Sequence, residues 1–243
     1  MTRIITPLPL IVLLACGATP GRGEQPEHVG ATKATMIAFD AAEGAAPELR
    51  ELLDSAGPIV SDTEPDTLLW YGLEAEAGRF GIFDVFTDAA GRQAHFDGRV
   101  AAALQDRAAA LVDGGWQDGV VDNVRNFDVL VATPVRAPSP SLATYIEFRA
   151  REGRGEALAE LLSGAGDVVW QTEPGTLFWT ALRDESDRRR FVIYDTFETA
   201  DGRDAHFAGQ VAAALQSAAG ELIEGGWDGV VAGVRHFEVR STN

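Results

Sequence analysis

Two kinds of residue in this chain of 243 have types and settings suited to chemistry. His95 and His206 each sit in an A-H-F triplet, and Asp84 and Asp195 each sit inside an apolar run, F-G-I-F-D-V-F and F-V-I-Y-D-T-F. An imidazole changes charge near neutral pH and can serve as a general base. A carboxylate within an apolar strand needs a partner, because unpaired burial is expensive. For Asp84 the nearby candidates are His95 and Arg92. In the functional arrangement the aspartate orients the histidine base. In the alternative the histidine is structural, bonded to a carbonyl or carboxylate, and the aspartate faces water at a sheet edge. Trp70 and Trp179 are candidates to line a flat aromatic pocket, or else to anchor the core. Gly91, His95, Gly98 and Ala102 recur at helical spacing and share one face, as do Gly202, His206, Gly209 and Ala213. Such small residues leave room for a ligand or for closely packed backbone. The apolar stripe Phe96-Val100-Leu104 is turned from His95 by about 100°. That predicts an imidazole at the edge of the helix–sheet seam, partly accessible.

Other chemistries lack the residues they need. The single cysteine, Cys16, allows no internal disulfide and no thiolate metal centre, and the four histidines show no HExxH-like spacing, so no metal is expected. There is no G-x-G-x-x-G after a strand, no P-loop and no nucleophile elbow, so neither a nucleotide nor a flavin cofactor is expected. The net charge of −17 repels phosphate backbones, which sets nucleic acid aside as a partner.

The elements that must position these residues occur twice. T-E-P-D-T-L-L-W at 63–70 recurs as T-E-P-G-T-L-F-W at 172–179, and G-R-Q-A-H-F-D-G-R-V-A-A-A-L-Q at 91–105 recurs as G-R-D-A-H-F-A-G-Q-V-A-A-A-L-Q at 202–216. The domains expected are 34–132 and 143–240, joined by a Pro-rich linker at 133–142. In the first copy Met36–Phe39 reads as a strand and Pro47–Ala56 as a helix with Leu49, Leu52, Leu53 and Ala56 on one face. Thr67–Leu73 and Phe80–Phe86 read as a hairpin, and Asp88 caps a longer helix running to Val112. Gly119–Val131 supplies a last strand. The order β-α-β-β-α-β is the ferredoxin-like split motif, so the fold class is α+β. Both faces of the hairpin strands are apolar, so a second layer must cover the face away from the helices. The sister repeat is the nearest candidate, and the two sheets are expected to face each other within one chain.

The first fifteen residues carry Arg3 followed by an apolar run too short to span a bilayer, which reads as a secretory signal. Leu13-Leu14-Ala15-Cys16-Gly17 resembles the lipobox of bacterial lipoproteins. That resemblance implies cleavage before Cys16, acylation of that residue, export, and a lipid anchor holding the protein to a membrane of the cell envelope. Residues 16–33 then form a flexible tether.

The repeat motifs are similar to those of the antibiotic biosynthesis monooxygenase family. They are T-E-P-G-T-L-F-W, the third-strand F-x-I-Y-D-T-F, and the A-H-F near the start of the second helix. The resemblance covers nearly all of both repeats. It implies a dimeric α+β barrel in which two chains pair their sheets, so that here one chain supplies both halves. It also implies a pocket between the sheet and the second helix. The activity implied is cofactor-independent monooxygenation of a small aromatic such as a quinol, with His95, His206, Asp84 and Asp195 as the catalytic candidates. The heme-degrading branch carries a further histidine about ten positions on. Neither Ala101–Gln105 nor Ala212–Gln216 contains one, which argues against heme degradation. The rival reading is a non-catalytic ligand-binding or interaction module on the same barrel.

Overall fold

The computed structural model describes residues 30–243. The signal segment, Cys16 and His28 lie outside the described residues. The first unit runs β1 (Lys33–Asp40), α1 (Ala46–Thr63), β2 (Thr67–Ala75), β3 (Arg79–Phe86), α2 (Ala89–Phe96), α3 (Arg99–Leu111) and β4 (Val124–Ala132). The second runs β5 (Leu142–Arg149), α4 (Gly155–Ser163), α5 (Ala165–Thr172), β6 (Thr176–Asp184), β7 (Arg190–Phe197), α6 (Ala200–Phe207), α7 (Gln210–Leu222), α8 (Gly226–Ala232) and β8 (Val234–Thr242). Each unit is a four-stranded antiparallel ferredoxin-like sheet, ordered β4-β1-β3-β2 and β8-β5-β7-β6.

The two sheets join at both edges into one closed eight-stranded barrel. β2 pairs with β8 from Tyr71↔Thr242 to Glu74↔Glu238, and β4 pairs with β6 from Phe127↔Asp184 to Ala132↔Thr180. Closure satisfies every strand edge that an isolated sheet would leave open. Alternation along the strands then divides the apolar residues into three cores. Met36, Tyr71, Leu73, Phe83, Phe178 and Tyr194 fill the barrel, with the Phe83 and Tyr194 rings stacked at 3.7 Å between centroids. Ile37, Leu49, Leu53, Trp70, Ile82 and Leu104 form the helix–sheet core of the first unit, and Ile146, Leu158, Trp179, Ile193 and Leu215 that of the second. The apolar open face expected from the sequence is thus covered by the sister repeat.

Two helices differ from their sequence expectation. α1 does not stop at Ala56 but continues through Pro58 to Thr63. At Gly57 a Cβ would lie only 2.1 Å from the Thr242 carbonyl oxygen, so the missing side chain lets β8 approach and the helix packs on without ending. The second helix is not one rod from Asp88 to Val112. Asp88 does cap it, accepting from the Ala90 and Gly91 amides at 2.8 and 2.9 Å. The chain then leaves the helix at Asp97 and restarts with extended Gly98 as the cap of α3. The break puts His95 in the last turn of α2 and ends the face on which Ala102 was placed; Ala102 is exposed.

Candidate functional site

Three elements of the first unit bring together Glu64, His95 and Asp84. Asp84 lies on the helix-facing side of β3, level with Thr35 of β1 and Trp70 of β2. His95 comes from the last turn of α2, where the free carbonyls carry partial negative charge and favour an imidazolium. Glu64 is the residue that ends α1, its amide still bonded to the Val60 carbonyl. Its carboxylate makes a short hydrogen bond with His95 Nδ1, and the Thr67 hydroxyl donates to it at 3.3 Å. His95 Nε2 lies 3.7 Å from Asp84 Oδ2, and Asp84 accepts no hydrogen bond among the described residues. The second unit repeats this with Glu173, His206 and Asp195, at 2.5 Å from His206 Nδ1 to Glu173 and 3.3 Å from Nε2 to Asp195.

Neither imidazole is partly accessible, as the spacing had suggested; His95 is 4% exposed and His206 5%. The small residues around them serve tertiary approach. A Cβ on Gly98 would meet Glu64 Oε1 at 2.5 Å, and one on Gly91 would meet Asp66 Cβ at 2.8 Å. The room beside the imidazole therefore holds the α1–β2 connection and its carboxylate. Arg92 is not the partner of Asp84; its guanidinium reaches Glu185 of the second unit at 3.1 Å through both terminal nitrogens. Trp70 and Trp179 are wholly buried in the helix–sheet cores. Glu64 and Glu173 were not singled out in the sequence. The only signal for them is the repeated T-E-P, where a glutamate before proline reads as an ordinary turn residue.

A cavity of about 430 Å³ opens between the sheet and α3 of the first unit. Its walls are apolar, through Ile37, Ile82, Phe96, Val100 and Leu104, and His95 is the only titratable residue among those lining it. Trp70 does not border it. Asn126 does, with its side-chain oxygen accepting from the Thr35 hydroxyl at 3.0 Å, which leaves its amide hydrogens for another acceptor. Among the described residues, no group of three or more His, Cys, Asp or Glu side chains is arranged to hold a metal ion.

The electrostatics follow from burial among like charges. Burial pushes the Asp84 carboxyl up to about 7, with Glu64 adding to the rise and His95 opposing it. For the histidines burial acts downward but is outweighed. Asp84 and Glu64 raise His95, while Asp195 and Glu173 raise His206 to about 10. Both signs point to lower stability at higher pH. A proton bound more tightly in the folded chain stabilises it fully below the unfolded value and ceases to do so above the folded one. For Asp84 that loss falls between the ordinary 3.8 and about 7, and for His206 between 6.5 and about 10. The melting temperature should decline from pH 5 to pH 10. Glutamine at His206 should flatten the alkaline part of that decline, and an unchanged profile would refute the assignment.

Residues 141–218 match the antibiotic biosynthesis monooxygenase family. That match covers most of the second unit. The first unit repeats the same fold and the same buried cluster. A candidate monooxygenase from Fusobacterium nucleatum shares the fold at a TM-score of 0.71, with 12% identity over 86% of this chain and 91% of that one. A second, from Lactobacillus acidophilus, gives 0.70 and 11% over 87% and 95%. At such identities the likeness concerns the fold alone. A Nitrosomonas europaea protein of unknown function is 32% identical over 45% of this chain and 96% of its own, with a TM-score of 0.38. No curated protein matches the sequence.

Proposed function

We propose that the protein is a monooxygenase that oxidises a small phenol or quinol in the first unit's cavity without a bound cofactor. The observation that carries this reading is the apolar cavity of about 430 Å³ whose one titratable wall residue, His95, is held between two buried carboxyl groups. In the state of the cluster in which Asp84 holds the proton and His95 is neutral, His95 Nε2, which has no hydrogen bond of its own, takes the phenolic proton. Glu64 fixes the ring through Nδ1. Asp84 balances the charge, and its carboxyl at about 7 lets the cluster change proton occupancy near neutral pH. The Asn126 amide donates to the phenolic oxygen. The electron-rich phenolate then supplies four electrons to dioxygen. One oxygen atom enters the ring as a new carbonyl and the other leaves as water, so that HO–Ar–H and O2 give O=Ar=O and H2O. Closely packed apolar walls keep bulk water from the reacting ring.

The reading assigns turnover to the first unit. At the position of Asn126 the second unit has His236, whose ring stands edge-on to Phe207 at 6.0 Å and whose Nδ1 lies 3.3 Å from the Thr144 hydroxyl. The test is oxygen uptake by the purified protein with a panel of hydroquinones and naphthols, matched one to one with product. Ala101→Trp, which fills the cavity and leaves all three buried groups in place, should abolish uptake. His95→Asn should lower it about 10²–10⁴-fold per folded molecule. No uptake with any member of the panel, or uptake unaffected by Ala101→Trp, would favour a binding module without chemistry.

We further propose that the chain is anchored to a membrane of the cell envelope through acylated Cys16, on the strength of L-L-A-C-G after an apolar run. Cys16→Ser should release the protein from the membrane fraction and end acyl labelling. Continued labelling of that variant would contradict the anchor.

A further inference from the structure

A second cavity, of about 340 Å³, lies at one mouth of the barrel, apart from the His95 cavity, and both units build it. Its floor is apolar, through Met36, Ala38, Ala75 and Phe237. Arg125 of β4 is level with Met36 on β1, and Arg235 of β8 is level with Tyr145 on β5. Phe127 and Phe237, two residues further along the same strands, belong to the barrel core. Alternation therefore points both arginines to the barrel side, as the first inward residues of β4 and β8.

Most of the described arginines of this acid-rich chain are paired with a carboxylate, and these two are not. The Arg125 guanidinium makes no ion pair or hydrogen bond among the described residues. That of Arg235 reaches only the Ala232 and Val234 carbonyls, at 2.9 and 2.7 Å. Arg79, also in the wall, meets Asp40 at 3.1 Å on the open surface. The one carboxylate lining the cavity, Glu147, is already engaged by Arg190 at 3.2 Å and by the Tyr145 hydroxyl at 3.1 Å. His236 also borders the cavity, with its pKa lowered by burial and then by Arg203, which favours the neutral ring. The mouth is thus a positively charged rim over an apolar floor in a molecule of net charge −17.

We propose that this mouth is a binding site for an organic carboxylate with an apolar body. The planar guanidinium groups of Arg125 and Arg235 receive the carboxylate, because their paired N–H groups match its two oxygens. Met36, Ala38 and Phe237 receive the body. The volume is at the low end for small-molecule pockets, which span about 300–1,000 Å³, so the body is one or two rings or a short chain. The site is independent of the oxygenation reading, because it shares no lining residue with the His95 cavity.

The test is titration calorimetry of the whole protein with 2-naphthoate and with its neutral counterpart, 2-naphthalenemethanol. Naphthoate should bind and the alcohol should not, and added sodium chloride should weaken the binding. Arg125→Gln and Arg235→Gln should each reduce naphthoate affinity about 10-fold or more, since a charge-assisted hydrogen bond is lost. Both arginines are exposed, so each variant should melt as the parent does. Ala101→Trp should leave the affinity unchanged while it blocks the other cavity. Equal binding of the alcohol, full affinity in the double arginine variant, or loss of naphthoate binding in Ala101→Trp would each overturn the proposal.

Discussion

His95→Ala and His206→Ala should each cost about 3–5 kcal/mol of stability, the loss expected when one member of a buried charge cluster is removed. In the first unit Glu64 is 9% exposed and Asp84 fully buried, and in the second Glu173 is 8% exposed and Asp195 fully buried. Taking away the imidazolium leaves two carboxyl groups with no cation between them in a medium that solvates them poorly. Asp84→Asn should behave in the opposite way. Its carboxyl is raised to about 7 from an ordinary 3.8, so above pH 7 its ionisation works against the fold. The amide has the same shape and no charge, and the imidazolium keeps Glu64. At pH 8 that variant should melt at or above the parent temperature, while His95→Ala melts well below it. Thermal denaturation of the three proteins in one buffer checks both signs. Equal destabilisation by Asp84→Asn and His95→Ala would show that Asp84 is a net stabilising partner and would overturn this electrostatic account.

A fragment of residues 34–132 should not survive as a stable monomer. Alone it would expose the unpaired edges of β2 and β4, which the second unit meets with β8 and β6. It would also bare Met36, Tyr71, Leu73, Phe83, Val85 and Phe127, all buried within the barrel. Each large apolar side chain returned to water forfeits about 1.5–3 kcal/mol, and six of them outweigh the usual stability of a small domain. The fragment has one good outlet. A second copy can place its β4 beside the first copy's β2 and rebuild the barrel as a symmetric dimer. Sedimentation should show a dimer or aggregate at all concentrations where the fragment is folded. A folded monomer would mean that the barrel core adds little to the stability of either unit.

Much of this architecture was legible in the residues. The duplication, the element order and the need for a second layer all follow from local pattern, because strand alternation and helical spacing record which faces must be covered. The facing of the two sheets follows once Leu69, Tyr71, Phe83 and Val85 are seen to need cover on the side away from the helices, whereas closure of the strands into a barrel was implied only by the family resemblance. His95 and Asp84 also stood out, as polar groups in apolar settings.

Tertiary contact decided what surrounds them. Glu64 lies 31 residues from His95, and nothing local marks a glutamate before a proline as the partner of a distant imidazole. The break at Gly98 was equally hidden, since A-H-F-D-G-R-V keeps helical spacing, and at the break the Glu64 carboxylate comes so close that only glycine fits. The same approach turned expected room beside the histidine into packed structure and moved the open space to the wall of Phe96, Val100 and Leu104. Which faces are apolar and how many times the unit is repeated can be read along the chain, because those are properties of near neighbours. Which charges meet, how their proton affinities shift and where a cavity remains come from the fold alone, because they depend on distances between residues far apart in sequence and on how completely water is excluded from them.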